Sequence, residues 1–360
     1  MEYIKKMVVC LICLAAIATV ICINIKADDV VTNAKGVILI DPDSGKVLHS
    51  KNMDVKLQMA STTKIMTTIL TIESGDLDEP FLVDENAIRV EGSSMGLMPG
   101  DTVTKRTLCY GMMLPSGNDA ANAAAVSVAG SVESFVEMMN KKAEELGLSS
   151  THFVTPSGLD DFTAEHYSTA YDMSRLAGYA LQNETFREIC STPSISLDLG
   201  GRTVWLGNTN KLLSSCEGVY GVKTGFTDKA GRCLITACNR GGVNLICVTL
   251  GDSTDWIDHE KLYEYGFSLI ERVELGGDTY KVAAVGGEEN IAELRAEPIS
   301  LNLEKGDSER IEKTVLLPHF IYAPAHSGEV FGQVIYFLDG DVLAASDIIL
   351  DQEISAKFIE

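Results

Sequence analysis

Three short groups of residues along this 360-residue chain carry side chains that could act on a substrate. In the first group Ser61 and Lys64 are three positions apart, so on a helix they share one face and the amine reaches the hydroxyl. A serine hydroxyl becomes an effective nucleophile when a base takes its proton, and a lysine held neutral by burial or by a neighbouring cation is such a base. Taken alone, the pair is better explained by a helix cap and a surface lysine.

The other two groups supply further polar side chains. Ser116 and Asn118 place a hydroxyl and a carboxamide two residues apart in a predicted loop between helices, where both could point into one cleft. Lys223, Thr224 and Gly225 come just before a predicted hairpin and are expected on a strand, where glycine lets a substrate backbone approach closely. Taken alone, Ser116 and Asn118 are better explained by an ordinary turn, and Lys-Thr-Gly is expected by chance in roughly one such chain in ten.

The elements that must position these groups follow from periodicity and turn residues. An opening hairpin is expected over residues 36–49, and a buried helix begins at Ser61 and stops near Gly75. The section that follows, to about residue 190, is predicted to be mainly helical. The remaining expected elements are helices over 120–129 and 132–146, strands over 232–239 and 243–250, a helix over 256–273, and short alternating strands after Gly276 and Gly277.

The amino terminus is typical of a secretory signal. Residues 7–23 are almost wholly apolar and follow Lys5 and Lys6, and Ala27 suits the position before a cleavage site. The apolar run is shorter than the roughly 20 residues that span a bilayer, which favours a cleaved leader over residues 1–27. An uncleaved anchor is the alternative, and Cys22 makes a weak lipoprotein site.

Charge and cysteine usage exclude other kinds of protein. The formal net charge is −22, and removal of the leader makes the chain more acidic still, so it does not bind nucleic acid or another polyanion. Six of the nine cysteines lie outside the leader, and they are expected to be free buried thiols acting as small hydrophobes. No Cys-x-x-Cys pair occurs among those six, and no His-Glu-x-x-His occurs anywhere, so no metal site is expected.

The ordered set Ser-x-x-Lys, Ser-x-Asn and Lys-Thr-Gly occurs in penicillin-binding proteins and class A β-lactamases, with Asp where Gly117 stands here. On these motifs the chain resembles a low-molecular-mass penicillin-binding protein of the D-alanyl-D-alanine carboxypeptidase type. Further stretches that resemble this family are residues 59–67, 116–121, 158–160, 166–170 and 208–212.

The resemblance implies a role for each motif residue. Ser61 would be the acylated nucleophile, Lys64 its general base, and Ser116 a relay of the proton to the leaving D-alanine. The backbone N–H groups of Ser61 and Phe226 would form the oxyanion hole. The family often has histidine where Phe226 stands, a change of side chain that keeps the backbone donor. The implied substrate-binding residues are Asn118, Lys223, Thr224, Gly225 and Phe226.

The resemblance also implies an architecture and a setting. The fold is expected to be α+β: a penicillin-binding, β-lactamase-like core of antiparallel sheet with a helical subdomain, then a small all-β domain. The peptidase domain is predicted over residues 28–274 and the β-rich domain over residues 275–360. The implied partners are peptidoglycan stem peptides as substrate and β-lactams as inhibitors. No cofactor is expected, the location is extracytoplasmic, and membrane contact requires that the amino-terminal segment is retained.

Two alternatives stay open. A class A β-lactamase needs a deacylating carboxylate, commonly in a Glu-x-x-x-Asn setting, but Glu165 is followed by His166-Tyr167-Ser168-Thr169. A catalytically inert wall-binding protein would rely on the β-rich tail, which the intact motifs argue against. The sequence does not separate carboxypeptidase, transpeptidase and endopeptidase activities.

Overall fold

A computed structural model describes residues 30–160 and 163–357 of the chain. The predicted signal segment, residues 1–27, lies outside the described residues. Within them, no helix is long and apolar enough to cross a membrane.

Helices and strands both occur through the first three quarters of the chain, and strands with one 3-10 turn follow. The strands are β1 (Gly36–Ile40), β2 (Val47–Lys51), β3 (Phe81–Leu82), β4 (Thr102–Val103), β5 (Ser194–Asp198), β6 (Thr203–Gly207), β7 (Val219–Thr227), β8 (Gly231–Arg240), β9 (Val243–Leu250), β10 (Ile270–Leu275), β11 (Thr279–Val285), β12 (Ile291–Ala296), β13 (Ile299–Glu304), β14 (Ile311–Leu316), β15 (Phe320–Tyr322), β16 (Val330–Leu338) and β17 (Asp341–Leu350). The helices are α1 (Lys64–Glu73), α2 (Lys105–Met113), α3 (Asn118–Ala129), α4 (Val132–Glu145), α5 (Ala170–Leu181), α6 (Glu184–Ser191), α7 (Leu212–Ser215) and α8 (Asp255–Leu269), with 3-10 turns at Ala60–Thr63 and Asp307–Arg310.

A five-stranded antiparallel sheet, in the order β2-β1-β9-β8-β7, forms the centre of the peptidase region. All five residues of β1 are buried, which requires cover on both faces of the sheet. Leu39 points toward Gly266 of α8, whereas Ile38 and Ile40 join the core that the other helices build. Helices therefore cover both faces, and the predicted hairpins at 36–49 and 232–250 are confirmed.

The predicted helix over 256–273 is wrong at its carboxyl end. Helix α8 ends at Leu269, and the chain continues directly as strand β10. Strand β10 pairs along its full length with β13, so its partner comes from a later part of the chain. Apolar residues at positions 270 and 273 fit either structure, and the non-local pairing decides.

The carboxyl-terminal region is all β. A six-stranded sheet in the order β14-β16-β17-β12-β11-β15 encloses its own apolar core, with Leu294, Val334 and Ile348 completely buried. The region also contacts the peptidase part, where Lys305 N donates to Leu269 O at 2.9 Å and Asn302 Nδ2 donates to Asp41 Oδ2 at 3.2 Å. The predicted α+β fold with a carboxyl-terminal β module is confirmed.

The six described cysteines are free and buried, in agreement with their interpretation as small hydrophobes. Burial raises the pKa of several of these thiols, to about 12 at Cys109 and Cys233, because the thiolate loses its solvation. They are therefore poor nucleophiles at neutral pH.

Candidate active site

Ser61 and Lys64 meet at the entrance to helix α1. Ser61 lies in the 3-10 turn over Ala60–Thr63, and Lys64 is the first residue of the helix. The spacing of three brings Lys64 Nζ to 3.0 Å from Ser61 Oγ, as the sequence predicted. Because the turn packs against strands β7 and β8, the nucleophile candidate is held between the helical part and the sheet.

The amine of Lys64 is completely buried and surrounded by oxygen atoms. It donates to Asn118 Oδ1 and to the backbone oxygen of Ser157, both at 2.7 Å. Burial holds the pKa of Lys64 well below its usual range, the charge of Lys223 lowers it further, and the charge of Asp119 opposes both effects. The site therefore favours a neutral amine next to a serine hydroxyl, which is the state a general base requires.

Ser116 and Asn118 lie at the connection between the end of helix α2 and the start of helix α3. Ser116 is a buried residue with a left-handed backbone, φ +67°, in the turn between the helices. Asn118 is the first residue of α3, and its side chain links Lys64 on one side to the backbone oxygen of Glu91 on the other, 2.7 Å from Nδ2. Asn118 thus joins the predicted base to the loop that precedes α2.

Lys223 lies on strand β7, as predicted, with 1% of its surface exposed. Its Nζ donates to the backbone oxygen of Thr224 at 2.9 Å. Burial lowers the pKa of Lys223 to about 7, so an anionic ligand at this position would favour the charged form. The Oγ1 atom of Thr224 lies 2.7 Å from Thr209 Oγ1, and this hydroxyl pair adds donors beside the lysine.

Gly225 explains how the strand comes so close to the nucleophile. A Cβ atom at this position would lie 3.0 Å from Ser61 N and 3.1 Å from Thr62 N, tighter than ordinary contacts allow. Phe226 follows with its side chain 63% exposed. The strand therefore brings its backbone alongside that of Ser61, while the Phe226 ring is free to contact a ligand.

Sequence reasoning missed three contributors to this site. Thr209 falls in the stretch 208–212 that carried the family resemblance, yet no role followed from its type. The Ser157 carbonyl offered no signal, because a backbone atom is not marked by a residue type. Asp119 directly follows Asn118, and its buried carboxylate binds the loop before α2. Their positions depend on contacts between distant parts of the chain.

The two buried histidines, His166 and His259, are held by hydrogen bonds inside the fold. His166 Nε2 lies 2.8 Å from Thr63 Oγ1, its Nδ1 accepts from Val154 N, and burial lowers its pKa to about 4. His259 is bound on both ring nitrogens by hydroxyls of the sheet, and burial lowers its pKa to about 3. Among residues 30–160 and 163–357, no group of three potential metal ligands occurs.

Comparison with known proteins agrees with this geometry. The family model described as D-alanyl-D-alanine carboxypeptidase matches residues 24–254, and the model for the penicillin-binding protein 5 carboxyl-terminal domain matches residues 267–356. The chain belongs to the D-alanyl-D-alanine carboxypeptidase family. The predicted family and the predicted class of enzyme, a serine peptidase, are confirmed.

Two relatives cover nearly the whole chain, and a third covers two thirds of it. The D-alanyl-D-alanine carboxypeptidase DacF of Bacillus subtilis is 36% identical over 93% of this chain and 89% of its own. Penicillin-binding protein 5 from Haemophilus influenzae superposes with a TM-score of 0.67 at 29% identity, over 90% of this chain and 98% of its own. The Streptomyces K15 DD-transpeptidase, at 34% identity and a TM-score of 0.63, covers 66% of this chain and 98% of its own.

Proposed function

We propose that this carboxypeptidase releases the terminal D-alanine of peptidoglycan stem peptides through an acyl-enzyme on Ser61. The observation that carries the proposal is the buried Lys64 amine 3.0 Å from the Ser61 hydroxyl, a base and a nucleophile already in contact. The buried amine of Lys223, whose charged form an anionic ligand would favour, supports a substrate that ends in a carboxylate. D-Alanyl-D-alanine supplies both the reactive amide and that carboxylate.

Acylation uses the neutral amine of Lys64. Lys64 takes the Ser61 proton while Oγ bonds to the carbonyl carbon of the penultimate D-alanine, and the carbonyl oxygen becomes an oxyanion. The N–H groups of Ser61 and Phe226 stabilise that charge. The C–N bond then breaks, and the proton reaches the departing amine through Ser116, leaving an ester on Ser61.

Deacylation restores the enzyme. Water attacks the ester carbonyl and gives a proton to Lys64. As the C–Oγ bond breaks, Lys64 passes that proton to Oγ, which restores the Ser61 hydroxyl and releases the shortened stem peptide. An amine acceptor in place of water would give transpeptidation instead. One relative, the Streptomyces K15 DD-transpeptidase, is named for that second activity, so transpeptidation is the alternative function for this site.

The peptidase works outside the cytoplasm in this proposal. The apolar segment at residues 7–23 supports export, and stem peptides lie on the outer side of the membrane. A β-lactam, which carries a strained amide and a carboxylate, acylates Ser61 by the same steps and inhibits the enzyme. The sequence after the second motif lacks Glu-x-x-x-Asn, which supports slow release of that adduct.

The test combines intact mass measurement with product analysis. The purified protein is incubated with benzylpenicillin, and separately with a stem pentapeptide, and compared with the Ser61→Ala and Ser268→Ala variants. We expect one covalent equivalent of drug, and release of D-alanine, in the wild type and in Ser268→Ala, whose serine is exposed on α8. Neither product is expected with Ser61→Ala.

Each other outcome contradicts a part of the proposal. Rapid turnover of the drug without an adduct would assign the site to a β-lactamase. An adduct that persists in Ser61→Ala would move the nucleophile elsewhere. Absence of both adduct and D-alanine from the wild type would leave the wall-binding alternative.

A further inference from the structure

The carboxylate of Asp119 is buried within hydrogen-bonding distance of four consecutive residues of one loop. Only 2% of the residue is exposed. Oδ1 accepts from Met95 N at 2.9 Å, and Oδ2 accepts from Gly96 N at 3.1 Å and Leu97 N at 3.0 Å. The hydroxyl of Ser94 donates to Oδ2 as well, at 2.5 Å. A buried charge with this many donors fixes the shape of the loop.

The same loop orients Asn118, the residue that contacts Lys64. Asn118 N donates to Ser93 O at 2.7 Å, and its Nδ2 donates to Glu91 O at 2.7 Å. Its remaining amide atom, Oδ1, then faces Lys64 Nζ. A change in residues 91–97, which we call the Asp119 loop, therefore reaches the Lys64 amine through a single side chain.

Gly117 shows why the carboxylate comes from position 119. The related motif Ser-Asp-Asn carries its acid on the residue between the serine and the asparagine. In this chain a Cβ atom on Gly117 would lie 2.7 Å from Asp119 Oδ1 and 2.9 Å from Met95 N. The Asp119 carboxylate thus fills the space beside Gly117 where a side chain would begin.

The charges around Lys64 give this carboxylate a second effect. Lys223 on β7 makes the protonated form of Lys64 less favourable, and Asp119 on α3 makes it more favourable. His166, in the segment that packs on the turn before α1, is neutral above about pH 4 and adds no charge at neutral pH. The partners that Lys64 contacts, Ser61, Asn118 and the Ser157 carbonyl, carry no charge.

We infer that Asp119 is a positioning residue of the peptidase, which holds the Asp119 loop against Asn118 and places a negative charge that acts on Lys64. The inference rests on the proposed function, in which Lys64 is the base. Two separable effects follow from it. Loss of the loop contacts lowers the acylation rate at every pH, and loss of the charge moves the pH at which Lys64 becomes active.

The experiment measures the second-order rate of acylation by a chromogenic β-lactam between pH 4.5 and 9. For Asp119→Asn we expect the acidic limb to move to lower pH by about half a unit or more, because the Lys64 ammonium loses a favourable charge. The plateau should fall about tenfold, since the amide cannot accept all of the loop donors and the site loses its geometry.

Two further variants separate charge from geometry. Asp119→Glu keeps the charge on a longer side chain, so its plateau should fall while the acidic limb stays at the wild-type pH. Asp101→Asn is the matched control, because Asp101 is also a buried carboxylate that accepts from the neighbouring Met98 N and pairs with Arg202. The Asp101 carboxylate binds the chain just after the Asp119 loop. The acidic limb of the pH profile of Asp101→Asn should therefore stay at the wild-type pH.

An unmoved limb in a folded Asp119→Asn protein, checked by circular dichroism and thermal unfolding, would overturn the inference. If Asp119→Asn does not fold, Asp119→Glu and Gly117→Ala decide, since both disturb the contact and keep the charge. If both variants show a lower plateau rate and keep the acidic limb at the wild-type pH, the inference is supported. A plateau rate equal to that of the wild type in Asp119→Glu or in Gly117→Ala contradicts it. A wild type that is not acylated at all would contradict the proposed function itself, which is a different result.

Discussion

Lys64 and Lys223 are two buried amines that the proposed reaction needs in opposite charge states. Lys64 has to be neutral to accept the Ser61 proton, whereas Lys223 has to be charged to bind the substrate carboxylate. The burial of both lowers both pKa values, and the charge of Lys223 lowers that of Lys64 further. The proposed reaction therefore requires the pKa of Lys64 to lie below that of Lys223, an order in which both charge states exist together.

This order predicts a bell-shaped dependence of kcat/KM on pH for D-alanine release. The rate rises with pH as Lys64 loses its proton, and it falls above about pH 7 as Lys223 loses its own. The basic limb should disappear in Lys223→Arg, because a guanidinium stays protonated across this range. A basic limb that keeps its position in Lys223→Arg would belong to another group. Steady-state kinetics on a stem pentapeptide measure both.

What the sequence predicts about the site stops where contacts become non-local. The contact of Ser61 with Lys64 follows from helical spacing alone, and the position of Lys223 on a strand follows from the hairpin after it. The Thr209 hydroxyl reaches Thr224 across fifteen residues of sequence, and the Ser157 carbonyl reaches Lys64 across ninety-three. No residue type signals such a meeting in advance.

At the scale of elements, the segment over residues 155–160 has to pass very close to the turn that carries Ser61. Gly158 has a left-handed backbone, φ +87°, and a Cβ atom there would lie 2.0 Å from Ala60 O and 2.9 Å from Thr63 Oγ1. The neighbouring Ser157 supplies the carbonyl that accepts from Lys64. A side chain at position 158 would push this segment away from the base.

Gly158→Ala should therefore weaken both the fold and the reaction. We expect about 3 kcal/mol less free energy of unfolding, from the clash together with the left-handed backbone, and an acylation rate about tenfold lower. Gly130→Ala is the matched control, because Gly130 has φ +80° and nothing within 4 Å of the added methyl. It should lose about 1 kcal/mol and keep the wild-type rate. Urea unfolding and β-lactam acylation measure the two quantities, and equal losses in both variants would contradict the clash.

The sequence predicted well the elements that depend on local patterns, such as turns and hairpins. The helix that was predicted too long shows where local patterns fail. The pair Gly241 and Gly242 marks the late hairpin, and both residues have positive φ in the turn. The helix expected over residues 256–273 ends at Leu269, because residues 270–275 find a strand partner in β13. Helical periodicity does not report a partner that lies twenty-four or more residues further along.

At the scale of the molecule, the carboxyl-terminal β region makes polar contacts with the peptidase part. Asn302 on β13 donates to Asp41, and Lys46 at the opening hairpin pairs with Glu304. The peptidase sheet and its helices enclose a separate apolar core, and the β sheet encloses another. Each part therefore has an apolar core of its own, and neither core needs residues of the other part to be complete.

We propose that the two regions divide at the end of α8, between Leu269 and Ile270, rather than near residue 275. A chain of residues 28–269 should stay soluble and react with a β-lactam within about threefold of the full-length rate, because its core is complete. The Streptomyces K15 DD-transpeptidase, 98% of which aligns with 66% of this chain, supports the proposal that a peptidase part folds alone. Expression yield, thermal unfolding and acylation rate measure the result.

A chain of residues 28–275 is the decisive comparison. It keeps strand β10 and removes β13, which hydrogen-bonds with β10 along its whole length. The unpaired strand exposes its backbone donors and acceptors together with Ile270 and Val273, and such an edge is a template for association. We expect this longer chain to aggregate at concentrations where the shorter one stays monomeric in size-exclusion chromatography. If the two chains behave alike, the pairing of β10 does not decide the boundary, and an insoluble 28–269 chain would mean that the peptidase core depends on the β region for its own folding.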